Sequence, residues 1–298
     1  MTDQPPQDDV IWGSLPPSAT VDVTFGAQSQ RGRSRLVNED HYLILRLGRN
    51  QETLLTSLPD DLIAARFDEY GYAMVVADGM GGSGGGEEAS HLAIATLVHL
   101  VRHFGKWNLR IDDPIAAEIM ARAERFYRHI DATLSRRSAT QGAVGDQTTM
   151  TAVFGAGQEL FFAHVGHSRA YLCRDGRLMR LTRDHTIGHR RPSTAPTAPL
   201  VEVGGSARDL AHILTNTIGM RGSIGPTIDI ERFRLCDNDR VLVCTNGLTD
   251  SVGEEDLTTV LASAQAPDEM CRSLIALSTT AGSDDDVTAL VAHYRIPG

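Results

Sequence analysis

The sequence predicts an α+β fold in which antiparallel sheets are covered by helices. Three observations lead there. Short apolar or alternating runs bounded by turn residues occur in both halves of the chain. Two long stretches of helical periodicity stand together in the first half, and two shorter ones lie near the end. The strict strand–helix alternation of a doubly wound parallel sheet is missing.

The elements follow in order. Four prolines within residues 1–20 predict a loose tail, so the domain is expected to occupy 21–298. "VDVTFGAQS", "HYLILRLG" and "YGYAMVVAD" read as strands, and residues 48–69 read as an irregular connection with a helical turn in "PDDLIAARFDE". A helix starts near Gly86, with Ala89, Ala93, Leu97, Leu100, Val101 and Phe104 on one face and Glu87 and Glu88 in its first turn. A second starts at Asp113-Pro114 and carries Ile115, Ile119, Ala123, Phe126, Ile130 and Leu134. "TTMTAVFGA", "ELFFAHVG", "RAYLCRDG", "RFRLCDNDRVLVCT" and "DVTALVAHY" are further strands, with hairpin turns at "RDG" and "CDND". Helices are expected after Gly253 and Pro267. Residues 188–209, with "RRPSTAPTAP", read as a mobile surface loop.

The chain has 298 residues, 41 % of them hydrophobic and 22 % charged, as in ordinary soluble globular proteins. Its net charge of −10 disfavours nucleic acid and anionic membrane surfaces as partners. It also repels phosphorylated substrates unless bound cations reverse the sign locally. The four cysteines form no close pair, which predicts free thiols. The first residues lack the features of a signal peptide, and no apolar run reaches a membrane span, so a cytoplasmic protein is expected.

Acidic residues gather where strands stop: Asn38-Glu39-Asp40, then Asp78, then Asp284-Asp285-Asp286. Singly, such residues are turn formers or solvated caps. Together, carboxylates from distant strands at one sheet edge suit a hard divalent cation such as Mg²⁺ or Mn²⁺. The glycines after Asp78 would let a backbone carbonyl approach it. Other patterns carry less. The Gly run lacks the Lys-Ser/Thr of a nucleotide-binding loop, "DDDVT" lacks the glycine and distal Glu of a calcium loop, and His99 and His103 read as solvated.

"RLVNED", "VVADGMGGSGGGEEAS", "QTTMTAVF", "AHVGHSRAYL", "LTRDHT", "VLVCTNGLTD" and "DDDVTALV" occur in the order found in the PPM family, the type 2C metal-dependent serine/threonine protein phosphatases. The resemblance runs from about residue 22 to 295. It implies a β-sandwich of two antiparallel sheets flanked on each side by a helix pair, with two Mn²⁺ or Mg²⁺ ions at one edge. By the same resemblance Asp78 would bridge the ions, with Glu39 and the Gly79 carbonyl on one and Asp285 on the other. Asp286 takes the place of the family's Asn. Asp40 would orient water from behind the ligands, and Arg35 would grip the phosphate as a planar fork. Water made nucleophilic by the cations would hydrolyse phosphoserine and phosphothreonine, without a Ser, Cys or His nucleophile. The partners implied are phosphorylated proteins, the substrates of a Ser/Thr kinase.

Two positions depart from the family pattern. His167 replaces the Asp of G-D-S-R, and Asn246 replaces the first Asp of T-D-G-L-T-D. In the family that the chain resembles, the aspartates missing here serve the first metal and a weaker third ion. The sequence therefore predicts either a retuned site with the third ion absent or altered, or a pseudophosphatase that binds phosphoproteins without turnover. Asn246 retains an amide oxygen for a hard cation. His167 is a candidate general acid, metal ligand or hydrogen-bonded strand-end residue.

Overall fold

The computed structural model describes residues 20–59, 63–81, 85–106, 111–141, 146–187, 213–220 and 225–297. The tail expected over 1–20, apart from Thr20, and the loop expected over 188–209 lie outside these residues. Among the described residues, eleven strands form two antiparallel sheets. The first contains, in order across it, β1 (Asp22–Gln30), β11 (Val287–Arg295), β10 (Arg240–Cys244), β7 (Arg169–Arg174) and β8 (Arg177–Arg180). The second contains β2 (Asp40–Glu52), β3 (Arg66–Met80), β5 (Met150–Ala156), β6 (Glu159–Val165) and β9 (Asp229–Arg234), with β4 (Gln147–Thr148) paired to the end of β3.

Three apolar layers account for the stacking. Between the sheets lie Met74, Val76, Leu160, Phe162, Leu172, Val243, Leu290 and Tyr294. The opposite face of the second sheet, with Val75, Ala77 and Val165, packs on α1 (Gly85–Phe104) and α2 (Asp113–Gln141). The outer face of the first sheet, with Tyr171, Leu242 and Val291, packs on α3 (Glu254–Ala262) and α4 (Pro267–Thr280). Central strands are thus covered on both faces, which is why "VLVC" and "ALVA" are continuously apolar rather than alternating. Each fully buried Leu or Val contributes about 1.5–3 kcal/mol. Antiparallel sheets, sandwich and helix pairs agree with the sequence reading.

Three details differ from it. The hairpin of β2 and β3 pairs continuously out to Glu52 and Arg66, so both ends of the segment expected to be irregular, 48–52 and 66–69, are ladder. Its polar side chains hid this, because the far end of the hairpin extends past the apolar layers. The helical turn expected in "PDDLIAARFDE" is replaced by strand from Arg66 onward, while residues 60–62 lie outside the described residues. Phe104, expected on the buried face of α1, is its last residue and is 61 % exposed. The "RDG" turn takes the predicted form, with Asp175 and Gly176 both at positive φ (51° and 72°), as a two-residue hairpin requires. Among the described residues no helix is long and apolar enough to cross a membrane.

Candidate active site

Strand direction brings the acidic residues together. β2 begins and β3 ends at the same edge, with Asp40 directly opposite Asp78 in the ladder. β11 begins there and β10 ends there, and the Thr245 amide donates to the Thr288 carbonyl at 3.1 Å just past β10. Asp40 ties the two sheets across this edge. Its Oδ2 accepts the hydroxyls of Thr245 at 2.8 Å and Thr288 at 2.7 Å. Its Oδ1 is buried and has no hydrogen-bond partner among the described residues. Burial pushes the Asp40 carboxyl up to about 7, the two threonine bonds opposing the shift and Asp286 and Asp285 adding to it. Asp78 is likewise held well above the carboxylate range, by burial first and then by Asp40 and Asp285.

Glu39 lies over the start of α1. A methyl group on Gly86 would press on its Oε1, and the Ser90 hydroxyl donates to its backbone carbonyl at 2.7 Å. Gly79 meets the same helix turn. Any side chain there would overlap the Gly86 carbonyl, which answers why glycine follows Asp78. The Gly79 amide donates to the Glu39 carbonyl at 3.1 Å, locking the two segments together. Burial raises the Glu39 carboxyl, against the pull of Arg35.

Arg35 spans the gap between acids. Its Nε and Nη2 donate to Asp285 Oδ1 at 2.9 and 2.5 Å, and its Nη1 reaches Glu39 Oε2 at 3.4 Å. Burial works against its charge, yet the bond to Asp285 and the surrounding carboxylates hold the guanidinium above its usual value. Asp286 faces elsewhere. Its Oδ1 accepts the Gly32 amide and its Oδ2 the Glu39 amide, each at 2.8 Å, so one buried carboxylate pins both ends of segment 32–39.

His167 lies at the same edge, with Nδ1 3.8 Å from Asp78 Oδ2 and no hydrogen-bond partner among the described residues. Burial lowers its pKa, so the imidazole is neutral at neutral pH. This removes the reading of a hydrogen-bonded strand-end residue for Nδ1. Asn246 follows Thr245 directly, and its amide nitrogen donates to Asp250 Oδ2 at 3.0 Å. Asp184 and His185 are taken up in side-chain bonds away from the acids, to Arg169 at 2.8 Å and to Asp229 at 3.1 Å.

The structure therefore brings together Arg35, Glu39, Asp40, Asp78, Gly79, His167 and Asp285, with Asn246 adjacent through Thr245. As they stand, no three His, Cys, Asp or Glu side chains among the described residues are arranged to hold one ion. Arg35 bridges two of the acids, Glu39 and Asp285. Sequence reasoning missed Thr245, Thr288 and Ser90. The two threonines sit in "VLVCTNGLTD" and "DDDVTALV", motifs noticed for their acidic residues and not for hydroxyls.

A family model described as Protein phosphatase 2C matches residues 56–282; Arg35–Asp40 and Asp284–Asp286 flank that range. The serine/threonine protein phosphatase PstP of Mycobacterium tuberculosis is 32 % identical over 243 residues, which cover 78 % of this chain and 43 % of that protein. The chain thus matches less than half the length of that relative. The serine/threonine phosphatase stp of Listeria welshimeri is 25 % identical over 224 residues, 75 % of this chain and 84 % of that one. Among solved structures, the catalytic domain of PstP in complex with two manganese ions superposes with a TM-score of 0.65 at 27 % identity, covering 93 % of this chain and 100 % of that one. The S. agalactiae serine/threonine phosphatase has the same fold, with a TM-score of 0.68 at 23 % identity over 93 % of this chain and 100 % of that one. The chain belongs to the protein phosphatase 2C family.

Proposed function

We propose that the chain is a metal-dependent protein phosphatase that removes phosphate from serine or threonine of other proteins. One observation carries the reading: carboxylates from three separate segments crowd one edge of the sandwich, and buried Asp40 keeps an oxygen without a partner. Unpaired buried carboxylates repel one another, and a cation relieves this. The donor set is all hard oxygen, which fits Mn²⁺ or Mg²⁺ and matches what the PstP structure binds.

Glu39, Asp78, Asp285 and the Gly79 carbonyl would hold two ions. When bound, such ions make water nucleophilic at neutral pH and offset phosphate charge. The chain's own residues do the rest. Arg35, whose Nε and Nη2 converge on one Asp285 oxygen, presents a planar fork suited to phosphate oxygens. Asp40, held through one oxygen by two hydroxyls, has its other oxygen left to accept from water. His167, neutral and unpartnered at Nδ1, suits ligation or water positioning better than donation of a proton. Asn246 supplies a neutral oxygen in place of a carboxylate, weakening any third ion.

A second reading, a phosphoprotein-binding module without turnover, is favoured by those two substitutions. Metal titration of the pure protein, combined with turnover of an aryl phosphate, separates the two. Turnover with Mn²⁺ that is lost in Asp78→Asn is expected. Tight phosphopeptide binding without turnover in any divalent cation would establish the second reading. His167→Ala, followed by its pH–rate profile, shows whether the imidazole takes part.

A further inference from the structure

We infer that Arg31 and Arg33 form an anion-recognition rim beside the candidate site, selecting phosphoprotein segments with a second negative side chain next to the phosphoresidue. The inference rests on the phosphatase reading above. The chain carries a net charge of −10, yet residues 31–35 read Arg-Gly-Arg-Ser-Arg, with no acid before Glu39. Both outer arginines are exposed. Among the described residues Asp285 and Glu39 pair with Arg35, the exposed Asp284 touches the segment through its backbone carbonyl, and Arg31 and Arg33 bond to carbonyls. Arg31 Nη1 donates to Leu36 at 2.8 Å and Arg33 Nη2 to Thr279 at 3.4 Å. Neither bond offsets a charge.

The segment is built to hold these side chains in place. Asp286 pins the Gly32 and Glu39 amides, and the Ser34 hydroxyl donates to the Asp284 carbonyl at 2.9 Å. Gly32 lies flat on the backbone of Asp284 and Asp285, where a methyl group would overlap both residues. Arg31 and Arg33 therefore flank a residue in contact with the segment that supplies Asp285. Leu36, 91 % exposed, and Val37, 41 % exposed, stand next to Arg35. A large apolar side chain held in water beside three arginines suits a peptide that carries both charge and an apolar neighbour. The rim also offsets the repulsion between an acidic chain and a phosphoprotein, which steers encounter. Arginine forks fit carboxylate and phosphate alike, so the second negative group is either an acidic residue or another phosphate.

The test uses three phosphothreonine peptides, identical except for flanking residues that are neutral, glutamate or phosphoserine. Their turnover with Mn²⁺ and their binding by fluorescence anisotropy are compared between the full chain and R31A/R33A. The unmodified chain should prefer an anionic peptide by about five- to tenfold in kcat/KM, mostly through KM, and less at 0.5 M NaCl. R31A/R33A should lose that preference, with melting temperature and aryl phosphate turnover unchanged, and R31K/R33K should recover part of it. Preference for the glutamate or the phosphoserine peptide alone supports the rim and identifies its ligand. Equal binding of all three peptides by the unmodified chain, or a preference that survives in R31A/R33A, overturns it. If no phosphate is turned over, the phosphatase reading fails, and the anisotropy comparison still decides the rim.

Discussion

Asp40→Asn is expected to stabilise the metal-free protein at alkaline pH. In the folded chain burial raises the Asp40 carboxyl from 3.8 to about 7, with the bonds from Thr288 and Thr245 opposing. A carboxyl whose pKa rises on folding favours the folded state while its proton stays on. Its contribution is complete below about pH 4, declines as pH rises, and is exhausted above about pH 7. The interval from 3.8 to about 7 corresponds to about 4 kcal/mol. About 1.5 kcal/mol of this is already lost at pH 5, and about 4 kcal/mol at pH 8. Asparagine does not ionise. Its oxygen accepts both threonine hydroxyls, while its NH₂ occupies the place of the unpartnered Oδ1 at a pH-independent cost of about 1–3 kcal/mol. The stability of Asp40→Asn relative to the unmodified chain should therefore improve by about 2–3 kcal/mol between pH 5 and pH 8. Urea titrations in EDTA at both pH values measure this. A relative stability constant to within about 0.5 kcal/mol would refute the argument that Asp40 carries a buried, uncompensated charge. Saturating Mn²⁺ should narrow the gap, because binding to the folded state alone stabilises it.

Other expectations follow from the same geometry. Arg35→Ala should lower kcat/KM for phosphopeptides by about 10²–10³, and Arg35→Lys should restore only part, since a point charge does not replace a fork. Gly79→Ala should destabilise by about 1–3 kcal/mol in urea titration, because a methyl group there displaces the first turn of α1. Thr288→Val removes one of the two hydroxyls on Asp40 and should cost about 1–3 kcal/mol, more at pH 8 than at pH 5. A smaller loss at pH 8 would contradict the assigned hydrogen bond.

The sandwich was largely legible because its strands are short, strongly apolar and punctuated by turn residues. The "RDG" hairpin and the Asp113-Pro114 helix start could be placed from local chemistry alone. The far end of the β2–β3 hairpin could not, since its polar side chains carry no burial signal. Within the candidate site, Glu39, Asp78 and Asp285 stood out as acids at strand ends, and glycine after Asp78 hinted at close approach. The hydroxyls on Asp40 were illegible for a physical reason: Thr245 and Thr288 lie 205 and 248 residues away, and only antiparallel stacking of both sheets brings them to one carboxylate. The role of Asp286 was hidden likewise, because its partners are backbone amides and leave no trace in side-chain identity.

That double grip by Asp286 makes the segment between Gly32 and Glu39 a cassette. Its two ends are clamped by the same carboxylate, so the side chains at 33, 36 and 37 can be exchanged without moving the acids behind them. On the phosphatase reading proposed above, selection acting on those few positions would redirect which proteins are served while the acids stay put, and a laboratory library confined to them would explore specificity on an unchanged chassis.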